Sequence, residues 1–576
     1  MRRLLWVVLV VPLLAAADTV AFQRPSGWND KRAVTAKQWM VAAAHPLAVE
    51  AGYRILKRGG SAVDAAIAVQ LVLGLVEPQS SGIGGGGFLL VHDARAKRLV
   101  AYDGRETAPA AAKPDRFLKD GKPLDFYDAV LGGKSVGVPG TVRLLETAHR
   151  KHGRLPWASL FEPAIALAER GFPVSPRLHA AIGNERYLTQ PRLRAYFFDD
   201  NGKALPAGAM LRNPAYATTL RAIAAGGANV FYTGEIARDI IETVASHPSN
   251  PGDMTLADLA DYRVVAREAV CDAYRRQRVC GFPLPSSGGI TVLQMLKILE
   301  PYDLAAMGPA SFWSVHFVSE AGRLAYADRD VYEADPAYYV APTGLLDAEY
   351  LRSRSRLIRT DASMRRARPG DPPERSADAA RVALGEDAAL EFPATSHISI
   401  VDRYGNAVAM TTTIEDMFGS RLMTRGGFLL NNELTDFSFA PTQDGKPVAN
   451  RIEGGKRPRS SMAPTIVYDE FGRVAIVAGS PGGSAIINYI AKTLIGIIDW
   501  GLDPQAAIAL PNFGSRNGPT ELERDTPVAR LAPKLQALGA DVRVVEFTSG
   551  TQAIVRTRGG WIGGADPRRE GIVMGE

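Results

Sequence analysis

The stretch that decides the fold is TSHISIVDRYGNAVAMTTTIE, residues 395–415. It holds two runs rich in β-branched residues, 395–402 and 407–415, separated by Arg403-Tyr404-Gly405-Asn406. Two such runs around an Asp-x-x-Gly-Asn turn predict a β-hairpin. Thr395 stands at the very start of the first strand, where a chain end could be exposed.

The segment before this hairpin has the composition of an exposed linker. Residues 359–393 contain the run RRARPGDPPER, residues 365–375, which is charged, proline-rich and poor in large apolar side chains. A loose tether that leads into a tight hairpin can be cut without unravelling a core. A cut between Ala394 and Thr395 would free the α-amine of Thr395, which could then act as the base that a weakly nucleophilic hydroxyl needs. Strand propensity alone gives Thr395 no such role.

Four motifs in order carry a family resemblance. They are TSHISIVDRYGNAV (395–408), LLNNELTDF (429–437), KRPRSSMAPT (456–465) and GSPGGS (479–484). Together they resemble the gamma-glutamyltranspeptidases of the N-terminal nucleophile hydrolase superfamily, over about residues 42–567. The resemblance implies an α/β fold, a four-layer αββα sandwich with two packed sheets between helical layers. It also implies a precursor that is cut between Ala394 and Thr395. Periodicity alone indicates only a mixture of helices and strands.

The resemblance implies the catalytic residues of an acyl-transfer site. Thr395 is the implied nucleophile, and Thr413 matches the family threonine whose hydroxyl bonds the nucleophile. Gly482 and Gly483 lie at a predicted strand-to-helix junction. Two backbone N–H groups at such a junction suit a developing oxyanion.

Six further residues match positions at which the family contacts a γ-glutamyl group. They are Arg105, Ser460 and Ser461 for the α-carboxylate, and Glu415, Glu433 and Asp436 for the ammonium. A guanidinium fork suits a planar carboxylate. Without the resemblance, Arg105 would be interpreted as a surface residue paired with Glu106. Two of the three acidic positions vary in the family between amide and carboxylate, so this all-acidic set predicts an unusually negative subsite that favours a free ammonium group.

The segment from Phe437 to Gly455 is predicted to be the lid of the site. Some members of the family carry a longer lid with a tyrosine that closes over the substrate. This segment has no Tyr or Trp and places Asp444-Gly445-Lys446-Pro447 at a turn. We therefore expect a more open site.

The composition is that of an ordinary globular protein. The 576 residues include 67 basic and 61 acidic side chains, for a net charge of +6. The two signs are interspersed and no basic stripe with interleaved aromatics occurs, which argues against nucleic-acid binding. We interpret the chain as one intertwined domain made from one precursor, with a large part at 18–394 and a small part at 395–576.

The first residues have the pattern of a secretory signal peptide. Met1-Arg2-Arg3 precedes a short apolar run that ends at Ala15-Ala16-Ala17. The run is too short for a comfortable membrane span. We expect a signal peptide at 1–17, cleaved after Ala17, and an exported protein that is periplasmic or secreted. Retention as an uncleaved anchor is the alternative.

Two patterns raise the question of a cofactor or a metal. The run from Gly82 to Gly87 contains Gly-x-Gly-x-x-Gly, but helix, glycines and strand follow in the wrong order for a dinucleotide site. We interpret these glycines as points of close backbone approach. His149 and His152 are three apart, yet no third histidine is near, so a solvated helix end is the interpretation. We expect no cofactor and no metal.

The chain has two cysteines, Cys271 and Cys280. If Arg275-Arg276 is a two-residue turn, the cysteines lie directly opposite each other in a hairpin, near disulfide range. A structural disulfide suits an exported protein. Two reduced, partly buried cysteines are the alternative.

Three functions are open at this point. The first is a gamma-glutamyltransferase and hydrolase that takes the γ-glutamyl group of glutathione-like donors and passes it to water, an amino acid or a peptide. The second is a cephalosporin or glutaryl acylase of the same build, which the acidic set disfavours because a glutaryl group lacks the amine. The third is a catalytically silent exported binding protein whose chain stays uncut.

Overall fold

A computed structural model of the protein describes residues 28–373 and 383–576. The predicted signal peptide lies outside the described residues, as does part of the predicted linker. No helix within these two ranges combines the length and the apolar character that crossing a bilayer requires.

Thr395 belongs to a seven-stranded antiparallel sheet, called here the first sheet. The predicted hairpin lies at its centre and is confirmed: Thr395 pairs with Thr413, and Val401 pairs with Ala407. Every residue of the two hairpin strands is buried. The strands of the first sheet follow in the order Ile572–Gly575, Met40–Ala43, Thr395–Val401, Ala407–Thr413, Gly86–Asp93, Arg98–Gly104 and Val265–Arg267.

A second seven-stranded antiparallel sheet packs face to face against the first. The two faces of the hairpin strands alternate, as the β pleat requires. Ala409 shares a buried cluster with Val477 and Ile554 of the second sheet, whereas Ile398 and Val408 point to the other side. The strands of the second sheet follow in the order Val34–Ala36, Gly560–Ala565, Gln552–Thr557, Val474–Gly479, Thr465–Tyr468, Gln277–Gly281 and Val270–Tyr274.

Helices cover the outer face of each sheet. Pro46–Lys57 and Ala62–Val76 share a hydrophobic cluster with the outer face of the first sheet. Gly288–Leu299, Phe312–Tyr332 and Ile486–Ile498 share the cluster of the second sheet. The fold is therefore the predicted four-layer αββα sandwich.

The helix Ala62–Val76 shows how local sequence determines an element of these layers. Ser61 and Asp64 form a reciprocal capping box at its start. Its residues are apolar on nearly all sides, and every one except Gly74 is buried. Such a helix is stable only inside a layered core.

Shorter elements surround this framework. The other α-helices are Phe126–Val130, Thr141–His152, Glu162–Arg170, Pro176–Asn184, Pro191–Phe197, Pro214–Gly226, Asn229–Tyr232, Glu235–Ala245, Leu256–Ala260, Leu304–Met307, Ala348–Ser355, Pro504–Ala509 and Ala532–Ala537. The 3-10 helices are Gly133–Ser135, Trp157–Leu160, Thr343–Leu346, Glu433–Asp436, Gly483–Ala485 and Pro527–Leu531. The minor strands are Leu118–Lys119 with Lys122–Pro123, Phe172–Pro173 with Met210–Leu211, Thr442–Gln443 with Lys446–Pro447, and Phe513–Gly514 with Thr520–Glu523 and Val542–Val545.

The glycine run before the strand Gly86–Asp93 is a place of close backbone approach, as predicted. A Cβ atom at Gly84 would lie 2.0 Å from the carbonyl oxygen of Leu429, and one at Gly85 would lie 2.1 Å from that of Thr413. No larger residue fits at either position without moving the backbone. The run thus lets the end of the hairpin pack against its neighbours.

Cys271 and Cys280 lie directly opposite each other on the last two strands at one edge of the second sheet. Their sulfur atoms are bonded in the structure. The turn between these strands is Arg275-Arg276, with Arg275 in the left-handed region at φ 54°. The bridge therefore lies at a sheet edge.

Candidate active site

Thr395 is the first residue of a central strand of the first sheet, and its side chain faces that of Thr413. The structure is that of the uncut chain, and Thr395 is only 4% exposed. Its hydroxyl lies 3.4 Å from the hydroxyl oxygen of Thr413, to which it donates a hydrogen bond. The strand pairing that places these two residues opposite each other therefore also aligns their hydroxyls.

The hydroxyl of Thr413 uses all of its hydrogen-bonding capacity around the predicted cut. It donates to the carbonyl oxygen of Ala394 at 2.8 Å and accepts from the N–H of Glu415 at 2.8 Å. A donor on the Ala394 carbonyl polarises the bond that a nucleophilic Thr395 would attack, and would stabilise the charge that develops on that oxygen. The arrangement suits attack on the chain's own backbone.

Arg569 holds the backbone on both sides of the predicted cut. Its guanidinium donates to the carbonyl of Thr395 at 3.3 Å and to that of Pro393 at 3.5 Å. Sequence reasoning missed this residue. The signal was the charged run Asp566–Glu570 directly after the strand Gly560–Ala565, at a strand end where functional loops collect.

Gly482 and Gly483 form the predicted junction between a strand and a helix. Their φ angles are 141° and 57°, in the region that favours glycine. Neither N–H donates a hydrogen bond to another of the described residues. A Cβ atom on Gly483 would lie 2.6 Å from the carbonyl oxygen of Glu391, whereas one on Gly482 would meet the ring of Tyr489. Gly483 thus faces the site directly.

The structure brings most of the predicted residues around one small cavity of about 20 Å³, room for about one water molecule. The predicted residues that line it are Arg105, Thr395, Thr413, Glu415, Glu433, Asp436, Ser460, Ser461 and Gly483. Gly482 and Ala394 do not line it. Glu391 and Phe392, which sequence reasoning missed, occupy the space beside Gly483. Their positions, four and three residues ahead of Thr395, were the available signal.

Arg105 is buried and engages four of its five N–H groups with protein groups. It forms ion pairs with Glu433 and Asp436, and it donates to the carbonyls of Pro458 at 3.2 Å and Arg459 at 2.8 Å. The alternative interpretation of Arg105 as a surface residue paired with Glu106 is wrong, because its side chain is 1% exposed and its partners are other carboxylates. In the uncut chain the arginine expected to hold an anion is thus paired with two residues expected to hold a cation.

Three buried carboxyl groups, those of Glu106, Glu433 and Asp436, surround this one guanidinium, and a fourth, Glu415, lines the same cavity as Arg105. Burial raises the pKa of Glu106 to about 7, and burial together with neighbouring carboxylates raises the pKa values of the other three well above their ordinary range. Both oxygens of Glu106, one of Glu433 and one of Asp436 accept no hydrogen bond from an N–H or hydroxyl donor, and the carboxyl groups of Glu106 and Glu433 contact each other. Buried acceptors without donors are costly, so the cluster favours a ligand that carries a positive charge and N–H groups.

Ser460 and Ser461 line the same cavity but have different partners. The Ser460 hydroxyl accepts from the N–H of Met462 at 3.1 Å, and that of Ser461 accepts from Arg329 at 2.7 Å. Arg329 also forms an ion pair with Glu391. Ser461 also hydrogen-bonds Glu391, so the hydroxyl proton of Ser460 remains available for a carboxylate in the cavity, and that of Ser461 becomes available when Glu391 leaves.

The predicted lid contains a short hairpin, Thr442–Gln443 with Lys446–Pro447. It packs on the stretch ahead of Thr395: the N–H of Gly385 donates to the carbonyl of Pro447 at 3.0 Å, and Asn450 donates to Asp387 at 2.8 Å. The cavity of the uncut chain is thus closed by residues 391–392 rather than by a lid side chain.

No group of three or more histidine, cysteine or carboxylate side chains within residues 28–373 and 383–576 has the arrangement of a metal site. His149 contacts the carbonyl of Leu155, and His152 contacts the hydroxyl of Tyr102. The two histidines therefore serve separate local contacts.

The family described as gamma-glutamyltranspeptidase matches residues 48–576, which include every residue of the cavity. The chain belongs to the gamma-glutamyltranspeptidase family. It is similar to the glutathione hydrolase proenzyme of Bacillus subtilis (strain 168), with 36% identity over 99% of this chain and 98% of that protein. It is also similar to the acylase ACY 1 proenzyme of Pseudomonas sp. (strain V22), with 36% identity over 93% of each protein. Among solved structures it resembles the cephalosporin acylase from Bacillus halodurans, with a TM-score of 0.81, 28% identity, and coverage of 97% of this chain and 99% of that chain.

Membership of the gamma-glutamyltranspeptidase family confirms the resemblance that the four motifs carry. All four motifs lie within the matched range. The curated relatives extend over nearly the same length on both sides of residues 394 and 395. The chain therefore spans nearly the whole length of these relatives.

Proposed function

We propose that the protein is an autoprocessed gamma-glutamyltransferase and hydrolase. Thr395 takes the γ-glutamyl group of glutathione and related compounds and passes it to water, an amino acid or a peptide. The observation that carries this is the cavity at Thr395, in which a hydroxyl pair lies beside buried carboxyl oxygens without donors. The glutathione hydrolase proenzymes among its relatives support the assignment.

Processing begins with attack of the Thr395 hydroxyl on the carbonyl carbon of Ala394. The new bond joins the Thr395 oxygen to that carbon, the carbon–nitrogen bond of the peptide breaks, and the hydroxyl proton passes to the nitrogen. Water then hydrolyses the ester, which leaves a carboxylate on Ala394 and a free α-amine on Thr395. Thr413 polarises the carbonyl from 2.8 Å.

The two pieces remain one folded unit after the cut. The first sheet alternates strands from both sides: Thr395–Val401 lies between Met40–Ala43 and Ala407–Thr413, and Ala407–Thr413 pairs in turn with Gly86–Asp93. The backbone hydrogen bonds and the core between the sheets do not depend on the peptide bond that is lost. The mature protein is therefore a heterodimer of residues 18–394 and 395–576.

In turnover the freed α-amine of Thr395 takes the hydroxyl proton and later assists the acceptor. The N–H groups of Gly482 and Gly483 stabilise the oxyanion of the tetrahedral intermediate. The ammonium of the donor binds at the carboxylate cluster of Glu415, Glu433 and Asp436. Its α-carboxylate binds Arg105 with the hydroxyls of Ser460 and Ser461. No metal or cofactor takes part in these steps.

The cavity must open before a donor can bind, because about 20 Å³ holds no γ-glutamyl group. Glu391 and Phe392 occupy the space next to Gly483. After the cut these residues lie close to a free chain end and lose the restraint of the bond to Thr395. The site opens when this new chain end moves away, so activity depends on processing.

An acylase acting on glutaryl or cephalosporin compounds is the second candidate, because one relative is named an acylase proenzyme and one similar solved structure is a cephalosporin acylase. A glutaryl group lacks the amine, so it would leave the unpaired oxygens of Glu433 and Asp436 without a donor. We therefore expect γ-glutamyl p-nitroanilide to be turned over at least about 100-fold faster than glutaryl p-nitroanilide. The reverse preference would establish the acylase.

Mass spectrometry and N-terminal sequencing of the purified protein test the proposal. We expect two fragments, the smaller beginning with Thr395, while the Thr395→Ala variant stays whole and inactive. Cleavage of Thr395→Ala at the normal rate would remove the nucleophile assignment. An uncut wild-type chain that binds an amino acid in calorimetry would establish the non-catalytic binding protein instead.

The first residues of the chain support export to the periplasm or the medium. The pattern of residues 1–17 is that of a signal peptide. N-terminal sequencing of the large fragment reports whether the chain begins at Asp18. A fragment that keeps Met1 would establish the uncleaved anchor.

A further inference from the structure

Glu391 lies in the wall between two cavities. On one side is the cavity of about 20 Å³ at Thr395. On the other side is a larger cavity of about 330 Å³, lined among others by Arg329, Ser484, Arg516 and Arg543. Glu391 and Phe392 line both. Removal of these two residues would join the cavities into one space that runs from the nucleophile past Arg329.

The side chain of Glu391 is held as a ligand would be. It forms an ion pair with Arg329, and it lies 3.8 Å from the Nε of Arg459. The Ser461 hydroxyl lies beside it, because the same terminal nitrogen of Arg329 donates to that hydroxyl at 2.7 Å. The side chain of Glu391 is 6% exposed and those of the two arginines are 4% and 1% exposed. The contact is thus a desolvated, charge-assisted one.

Arg329 is oriented independently of Glu391. Its Nε donates to the hydroxyl of Ser287 at 2.9 Å, and one terminal nitrogen bonds Asp330 at 2.7 Å. Loss of Glu391 would leave one N–H of the other terminal nitrogen without a partner, aimed at the position of the departed carboxylate. The Nε of Arg459 already lacks a hydrogen-bond partner. Two buried donors would then face an empty space, which a carboxylate fits.

We infer that Arg329, with Arg459, forms a carboxylate-binding subsite of the processed protein, which Glu391 fills until the chain is cut. Arg329 lines the larger cavity and not the small cavity that Arg105 lines. The ligand of the subsite is therefore the terminal carboxylate of the peptide that leaves Thr395 or attacks it, which in glutathione is the glycine carboxylate. This assignment rests on the proposed function and extends it to the second half of the substrate.

The kinetic test compares donors with and without that carboxylate. The processed Arg329→Gln variant is assayed with glutathione, with glutathione amidated at its glycine, and with γ-glutamyl p-nitroanilide. Loss of one charge-assisted contact should raise the KM for glutathione about tenfold more than the KM for the other two donors. Arg516→Gln is the matched control, because Arg516 lines the same cavity but pairs with Glu521. Equal effects on all three donors, or an equal selective effect of Arg516→Gln, would overturn the subsite.

A binding test needs neither processing nor turnover. In the uncut Thr395→Ala chain, Glu391→Ala leaves a carboxylate-sized space beside Arg329. We expect sodium acetate to raise the melting temperature of this double variant relative to sodium chloride of the same ionic strength. No such rise should occur with Glu391 present, or when Arg329→Gln is added. If acetate does not raise the melting temperature of the double variant, the subsite is overturned. If acetate does raise it but the processed wild-type protein fails to turn over γ-glutamyl donors, only the proposed function is overturned.

Discussion

The hydroxyl of Thr413 provides the sharpest test of how this chain is cut. Thr413→Val keeps the β-branched shape of a buried strand residue and removes only the hydroxyl. It takes away the hydrogen bond to the Ala394 carbonyl at 2.8 Å and the acceptor for the N–H of Glu415, also at 2.8 Å. It also removes the group to which the Thr395 hydroxyl donates. The fold of the hairpin should persist.

The expected slowing of cleavage in Thr413→Val follows from the position of the Ala394 carbonyl. Its oxygen becomes the oxyanion when Thr395 attacks, and loss of one donor to such an oxygen typically slows a reaction about 100-fold or more. Each buried backbone group left unpaired should also lower the free energy of unfolding by about 1–3 kcal/mol. Thr413→Val is thus expected to accumulate as a folded but destabilised precursor.

Maturation is followed by gel electrophoresis and mass spectrometry of freshly folded protein over time. Thr412→Val is the matched control, because Thr412 is the neighbouring buried threonine and its hydroxyl donates at 3.0 Å to the carbonyl of Gly86, away from the cut. It should lose comparable stability and mature at the normal rate. Maturation of Thr413→Val at the wild-type rate, or equal slowing in both variants, would refute the role assigned to this hydroxyl.

Three other perturbations test the carboxylate cluster and the sheet edge. Glu433→Gln should raise the KM for γ-glutamyl p-nitroanilide about tenfold, because it weakens a charge-assisted contact with the donor ammonium. Asp444→Asn, at the exposed hairpin tip, should leave the KM unchanged. Steady-state kinetics in which both variants behaved alike would contradict this assignment. Burial raises the pKa of Glu106 from 4.5 to about 7, so its contribution to the free energy of unfolding is full below pH 4.5 and is lost as the pH rises to 7. This is measured by urea denaturation of the uncut Thr395→Ala chain with and without Glu106→Gln. Between pH 4.5 and 8, the free energy of unfolding of the chain that keeps Glu106 should fall by about 3 kcal/mol relative to that of the Glu106→Gln chain. A constant difference would exclude that pKa. Replacement of Cys271 and Cys280 by serine should lower the free energy of unfolding by about 2–3 kcal/mol. The kinetics should stay unchanged, since the bridge lies at a sheet edge. A loss of activity in the folded variant would contradict a purely structural bridge.

Local sequence patterns predicted those parts that depend on near neighbours in the chain. The Asp-x-x-Gly-Asn turn between two β-branched runs predicted the hairpin, and the structure shows the register that places Thr395 opposite Thr413. The capping box of Ser61 and Asp64 likewise depends on residues only three apart in the chain. The layer order came from the family resemblance, because periodicity does not say which sheet a strand joins.

The cavity could not be assigned in full from the sequence, because its charges come from distant segments. The ion pairs of Arg105 with Glu433 and Asp436 join positions 328 and 331 residues apart. The role of Glu391 depends on Arg329 and Arg459, which approach it from a helix and a loop.

The sequence by itself determined the hairpin, the turn and cap chemistry, the disulfide-ready spacing of the cysteines and the motifs at Thr395, since each depends on a few adjacent residues. Tertiary structure alone decided that Glu391 and Phe392 fill the site, that Arg105 is neutralised by carboxylates, and that Arg569 spans the predicted cut. The physical reason is that burial and pairing of charges depend on which distant segments share a cavity, and no local periodicity records that.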